Sequence, residues 1–387
     1  MRGVYDYLAQ DRVIFGEPAA KAVDQTVRHY SAERVFIVAS RTLNRSTDTI
    51  DNIRQALGRR YLGTYDSCLE HTPRSSVIDL ARALKLANPD LVVTVGGGTP
   101  IDTVKLALLC VAENVDDEET LGNFRIQVNQ DGVKSIPAVG SPPFRQVVIP
   151  TTLSAAEFTN LGGCTDPVRQ VKDLYTGREI GAMVVILDPE VTLHTPSWLW
   201  LATGVRALDH AVETICSINH QPFTDATCLH GLRLLVDGLR QVRSQPGNLE
   251  ARLNCQLGVW LCATGIMRVP MGASHGIGHQ LGAVAGVAHG HTSCVLLPEV
   301  MRYNLSVNAD RQKLIAGAMG EDCTPAHELV KTLIKQLGMP TTLREVGVKR
   351  VQFDAIADGA LQNMFVRANP RAIETTSQVV EILEGCW

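Results

Sequence analysis

PDLVVTVGGGTPIDTVKLAL, residues 89–108, is the stretch from which the rest of the chain can be ordered. Residues 91–95 form a short apolar, β-favouring run of the kind buried on both faces of a parallel sheet. Gly96, Gly97 and Gly98 then let the backbone turn tightly with nothing projecting, and a helical pattern begins at once. Thr99 is placed to cap that helix, Pro100 suits its first turn, and Asp102, three residues after the cap, can complete a capping box. A strand, a bare glycine turn and a helix N-terminus together offer N–H groups and the positive end of a dipole to an anion, most often a phosphate. Lys105, one turn into the helix, points to the same ligand.

Upstream, RVFIVASRT at 34–42 reads as a second buried strand between helix-like stretches at 19–30 and 46–60. YLGTYDSC at 61–68 reads as an edge strand, and a helix with apolar residues at Val77, Ile78, Leu80, Ala81, Leu84 and Leu86 follows. This alternation is the α/β pattern. Downstream, residues 113–145 read as a helix end followed by a long surface connection or hairpin. QVVIPTT at 146–152 is another buried strand that closes on Thr151 and Thr152 at the edge where open α/β sheets bind ligands. MVVILDPE at 183–190 ends the alternation, and beyond residue 190 the periodicity is helical throughout. The expected division is therefore an α/β domain over 1–190 and an all-helical domain over 191–387.

The helical half carries SHGIGHQLGAVAGVAHGHT at 274–292, with His275 and His279 four apart on one helix face and His289 and His291 returning after a glycine bend. Four imidazoles within so short a segment are expected to converge on one small volume as a metal or acid–base site. His210 lies on a separate helix of the same half.

Composition excludes several other functions. Lys plus Arg is 36 against 40 for Asp plus Glu, a net charge of −4, so no basic stripe for nucleic acid or an anionic membrane is expected. The N-terminus has no signal-like apolar stretch and no apolar run is long enough to span a bilayer, which leads to the expectation of a soluble, cytoplasmic protein with a small-molecule substrate. The ten cysteines are scattered without a CxxC pair and are expected to be reduced core residues. A homodimer is the expected assembly, as the commonest soluble oligomer.

GGGTPIDTVK resembles the GGGS-x-x-D-x-x-K fingerprint of the iron-containing (group III) alcohol dehydrogenase superfamily. The resemblance continues in order through RVIFGEPAA, IPTTLSAAE, DPEVTLHTP, HGIGHQLG and VLLPEVMRYN. It implies a Rossmann-like α/β dinucleotide-binding domain followed by an all-α domain, the dehydroquinate synthase-like architecture, and NAD(P)-dependent oxidoreductase activity. It places Gly96, Gly97, Gly98, Thr99 and Asp102 against the cofactor pyrophosphate, with Thr151 and Thr152 also on the cofactor. Where many relatives have an aspartate after the first strand, this chain has Ser40 and Arg41, which can accept a 2′-phosphate; NADPH is expected in preference to NADH.

Family members commonly hold a divalent metal with the aspartate and histidine of D-A-L-x-H and two later histidines fourteen apart. Here His210, His275 and His289 keep those places and would be the ligands of any metal, but the aspartate position is Arg206. A guanidinium cannot ligate a cation, and Asp209 projects about 100° around the helix from His210. The lost acid and the short PTTLSAAEFTN loop are similar to the maleylacetate reductase branch, although Ala155 and Ala156 depart from its pattern. The expectation is a metal-free reductase of a small carbonyl or conjugated oxo-acid. In it Arg206 supplies positive charge, His279 gives the proton, and His210, His275 and His289 share the pocket. The rivals are a metal-dependent alcohol dehydrogenase with a rearranged ligand set and a catalytically silent nucleotide-binding relative.

Overall fold

The structure, a computed structural model, describes residues 3–128, 134–166, 168–169 and 171–387. It forms two compact units, Asp6–Thr195 and Pro196–Trp387, and the second also takes in Tyr5. The division falls beyond residue 190 because the turn Val191–His194 still belongs to the sheet unit. Val191 is part of that unit's core, and the Thr195 hydroxyl donates to the Thr151 carbonyl at 2.7 Å.

The first unit is built on strands β1 (Arg12–Phe15), β2 (Val35–Ala39), β3 (Tyr61–Tyr65), β4 (Leu91–Gly96), β5 (Gln127–Val128), β6 (Lys134–Ser135), β7 (Arg145–Pro150), β8 (Leu161–Asp166), β9 (Val171–Thr176) and β10 (Ala182–Leu187). Six of them make one sheet in the order β1-β10-β7-β4-β2-β3, every neighbour parallel. Alternate residues serve two cores: Val35, Ile37, Leu91, Val93 and Val95 face one, Val38 and Val92 the other. Helices cover both faces, which is why these strands read as unbroken apolar runs rather than as alternating ones. The 113–145 stretch contains the short helix Glu118–Gly122 and the β5–β6 hairpin, whose tip lies outside the described residues.

One hairpin escapes the sequence pattern. β8 and β9 pair antiparallel between β7 and β10, and β8 packs on the helix Gly98–Ala112. LGGCTD looks like a loop because of its glycines. A Cβ on Gly162 would stand 2.3 Å from Leu106 Cδ1, so the glycine is what lets the strand approach the helix.

In the second unit all the described regular elements are helical. Helix Ser197–Ile215 is its axis, with every residue from 200 to 215 buried. Burial on all sides means that Arg206, Asp209, His210 and Glu213 must find partners inside the unit. Helices Ala273–Ala285 and His289–Ala318 supply them. No helix among the described residues is long and apolar enough to cross a membrane. Of the cysteines, Cys68 is half-buried and Cys323 exposed; the others are buried and all are unpaired, as core residues.

Candidate active site and cofactor cradle

In the α/β unit, in-register parallel pairing sets Ala39 beside Val95 and Gly96 beside Pro150, so the carboxyl ends of β2, β4 and β7 lie together. Ser40 and Thr151 flank the glycine turn, through bonds from Ser40 N to the Val95 carbonyl and from Thr151 N to the Gly96 carbonyl, both 3.0 Å. The helix begins at Gly98 with Gly97 as its N-cap and no side-chain cap. Thr99 therefore lies inside the first turn rather than capping it, and its N–H belongs to the exposed donor set of that turn. A Cβ at Gly97 would meet Thr152 Cγ2 at 2.9 Å, so the bare turn is enforced by Thr152 itself. The Thr152 hydroxyl is buried and has no hydrogen-bond partner among the described residues. A cradle of backbone amides beside an unsatisfied buried hydroxyl suits a pyrophosphate.

Two residues do otherwise than expected. Lys105 is fully buried and its ammonium donates to Asp102 Oδ1 at 3.0 Å, Thr159 Oγ1 at 3.2 Å and the Leu161 carbonyl at 2.7 Å. All three of its hydrogens are engaged, so it ties the helix to the β8 hairpin and does not reach a phosphate. Asp102 forms no capping box: its second oxygen accepts from Gly163 N at 3.2 Å, which makes it part of the same tether. Ser40 caps the helix Arg41–Ser46 by accepting from Leu43 N at 3.4 Å, and Arg41 is exposed. Close by, Glu157 is buried, and burial pushes its carboxyl up to about 7. Ala155, before it, holds a left-handed backbone (φ 64°) that glycine would adopt more readily.

In the helical unit, Arg206 is only 4% exposed, which excludes a surface salt bridge. Its Nη1 donates to Ser293 Oγ at 3.0 Å and lies 3.7 Å from Asp209 Oδ2. Asp209 Oδ2 accepts from the hydroxyls of Ser293 at 2.6 Å and Ser274 at 2.7 Å. The helical period correctly turns Asp209 away from His210, but two other helices bring serines to it, and it joins the group after all. Glu213 accepts from the backbone N–H of Gly272 at 2.7 Å and of Ser274 at 2.8 Å, and from His275 Nδ1 at 2.7 Å. Burial pushes Glu213 up to about 7 despite those donors, and burial with the nearby Arg206 charge pushes His275 down to about 3. His210 is held well below the usual histidine range by burial, with His275 and Arg206 adding to it. Both imidazoles are therefore held neutral, and His275 Nδ1 shares a hydrogen with Glu213.

Ring contacts pair His210 with His275 at 4.9 Å and His279 with His289 at 6.1 Å, and set His291 against Trp198 at 5.9 Å. His275 is buried, His279 half-buried and His289 exposed, because the chain leaves the first helix at Ala285 and starts the next only at His289. Phe365 touches both His275 and His279, at 6.4 and 5.6 Å. Asn363 contributes something the sequence does not announce. Its Oδ1 accepts from Phe365 N at 2.9 Å, so its amide nitrogen must face His279 Nδ1 at 3.3 Å. That nitrogen can only donate, which makes His279 Nδ1 the acceptor and puts the ring proton on Nε2.

Several buried polar atoms of this group have no hydrogen-bond partner among the described residues: Arg206 Nε, Asp209 Oδ1, His210 Nδ1 and His275 Nε2. Asp209, Glu213 and His275 each offer a donor atom within 4.8 Å of one another, the spacing of a possible cation site. Those atoms are already engaged by serine hydroxyls, backbone amides and each other, and a permanent guanidinium charge lies beside them. The set does not suit a divalent cation.

Comparison with known proteins gives a family for this fold. Residues 10–189 match the model for iron-containing alcohol dehydrogenases and residues 200–387 the C-terminal model of the Fe-containing alcohol dehydrogenase family. Dehydrogenase FUM7 of Gibberella moniliformis is 33% identical over 96% of this chain and 95% of its own. Maleylacetate reductase 1 of Rhodococcus opacus is 30% identical over 97% and 94%. The crystal structure of maleylacetate reductase from Agrobacterium tumefaciens superposes with a TM-score of 0.84 at 26% identity, covering 100% of this chain and 98% of that one.

Proposed function

The chain belongs to the iron-containing alcohol dehydrogenase family and is an oxidoreductase, and from that premise we propose that it reduces a small carbonyl compound or conjugated oxo-acid without a metal. The observation that carries this is the buried Arg206 guanidinium, with an unpartnered Nε, in the group that holds His210 and His275. The glycine turn and the Thr152 hydroxyl would hold the pyrophosphate of NAD(P)H, and exposed Arg41 beside Ser40 favours NADPH. Bound there, a reduced nicotinamide supplies the hydride.

Hydride addition to a carbonyl carbon moves the π electrons onto oxygen. Arg206 stabilises that negative charge with a cation that needs no ligand set. His279, half-buried and with its hydrogen on Nε2, donates a hydrogen bond to the alkoxide, which takes its proton from water to become the alcohol. His210 and His275, neutral and desolvated, shape the polar wall around Arg206. Purified enzyme should contain no stoichiometric zinc or iron and keep its turnover in EDTA. Arg206→Ala should lower turnover on the order of 100-fold, the scale of one oxyanion contact.

The unpartnered Nδ1 of His210 and Nε2 of His275 favour a second reading, a metal-dependent dehydrogenase with a rearranged ligand set. Stoichiometric metal together with abolition of activity by chelator would select it over the first.

A further inference from the structure

Resting on the role proposed for Arg206, we infer that Ser293 and Asp209 are positioning residues that anchor one end of its guanidinium and keep Nε free of a protein partner for substrate. The donor and acceptor roles in this chain follow from elementary inventory. Arginine has no acceptor, so at 3.0 Å Ser293 Oγ accepts from Arg206 Nη1. The single Ser293 hydroxyl hydrogen then goes to Asp209 Oδ2 at 2.6 Å, and Ser274 donates to the same oxygen at 2.7 Å. The order Arg206 to Ser293 to Asp209 is thus fixed, with Arg206 and Asp209 on helix Ser197–Ile215, Ser293 on His289–Ala318 and the bracing Ser274 on Ala273–Ala285.

The interposed hydroxyl decides which face of the guanidinium is occupied. Arg206 and Asp209 stand three apart on one helix and could pair directly, yet their closest approach is 3.7 Å, too long for a hydrogen bond. A direct fork-to-carboxylate pair would cover two N–H groups at once. With Ser293 between them, Asp209 balances the charge from a distance, Nη1 is tied, and Nε has no partner among the described residues. Ser293 is fully buried, so water does not replace its hydroxyl from outside. Arginine at 206 is therefore useful only in the company of serine at 293.

The test is a double-mutant cycle on the full-length enzyme, with crystal structures of wild type and Ser293→Ala. Ser293→Ala should lower kcat about tenfold, the worth of one charge-assisted hydrogen bond, with KM for NAD(P)H changed by no more than about twofold. In an Arg206→Ala background the same change should move kcat by less than about twofold, and the Ser293→Ala crystal should show Arg206 turned onto Asp209. Losses that multiply across the two backgrounds, or an unmoved arginine, would overturn the inference. If Arg206→Ala keeps full turnover, the proposed function fails, while the crystallographic arm still decides the role of Ser293. Should Ser293→Ala fail to fold, isosteric Asp209→Asn reads the same coupling: a loss of kcat that vanishes without Arg206 supports the inference, and one that persists refutes it.

Discussion

Asp102–Lys105 and Arg206–Asp209 are the same device on paper, an acid and a base three apart on a buried helix, and the molecule uses them for different ends. Every hydrogen of the Lys105 ammonium has an acceptor within 3.2 Å, and both Asp102 oxygens are engaged. Around Arg206 the matching is incomplete, with atoms on the arginine, on Asp209 and on two histidines that have no partner among the described residues. Both groups carry the cost of burying charge. A saturated pair returns that cost as architecture, whereas an unsaturated one is completed by a ligand.

The largest expected effect tests the saturated side. Lys105→Met leaves Asp102 without its cation and should destabilise the protein by about 3–5 kcal/mol in urea denaturation. Arg206→Met should act mainly on turnover and cost clearly less stability; equal stability losses would erase the contrast. Next is Glu157, near the Lys105 tether. Its folded value of about 7 lies above the ordinary 4.5, so between those pH values the unfolded chain releases a proton that the folded protein keeps. Stability contributed by that carboxyl is present below pH 4.5 and lost as pH rises through about 7, a change of roughly 3 kcal/mol. Glu157→Gln should flatten the slope, measured as unfolding free energy at pH 5 and pH 8. The smallest effect concerns His279: Asn363→Asp replaces a donor with an acceptor at Nδ1, favours the opposite tautomer, and should lower kcat by about tenfold. Ring nitrogen NMR shifts that stay unchanged would break this assignment.

The local chemistry of the fold was legible for good physical reasons. The run at 91–95 is apolar because both sheet faces are covered, and the glycines at 96 and 97 stand where a side chain would collide. β8 was not legible, since glycines chosen for contact with Leu106 resemble glycines chosen for a loop. Thr99 does not cap because the helix starts two residues before Pro100, at Gly98, with bare backbone. Lys105 was misjudged for a general reason: a lysine one turn into a helix can reach outward to a ligand or back into the core, and only the position of Thr159 and Leu161 selects between them.

Residue spacing by itself determined the alternation of helices with the main buried strands and the bare turn, while the family resemblance alone implied that Arg206 stands at the aspartate position. Periodicity describes each side chain only relative to its own helix axis. Which groups are desolvated, which histidines meet, and whether an acid 100° out of line can still take part depend on what neighbouring helices present. Ser274, Ser293 and Asn363 come from three separate segments distant in sequence from Arg206, and tertiary packing alone brings the two serines to Asp209 and the amide to His279.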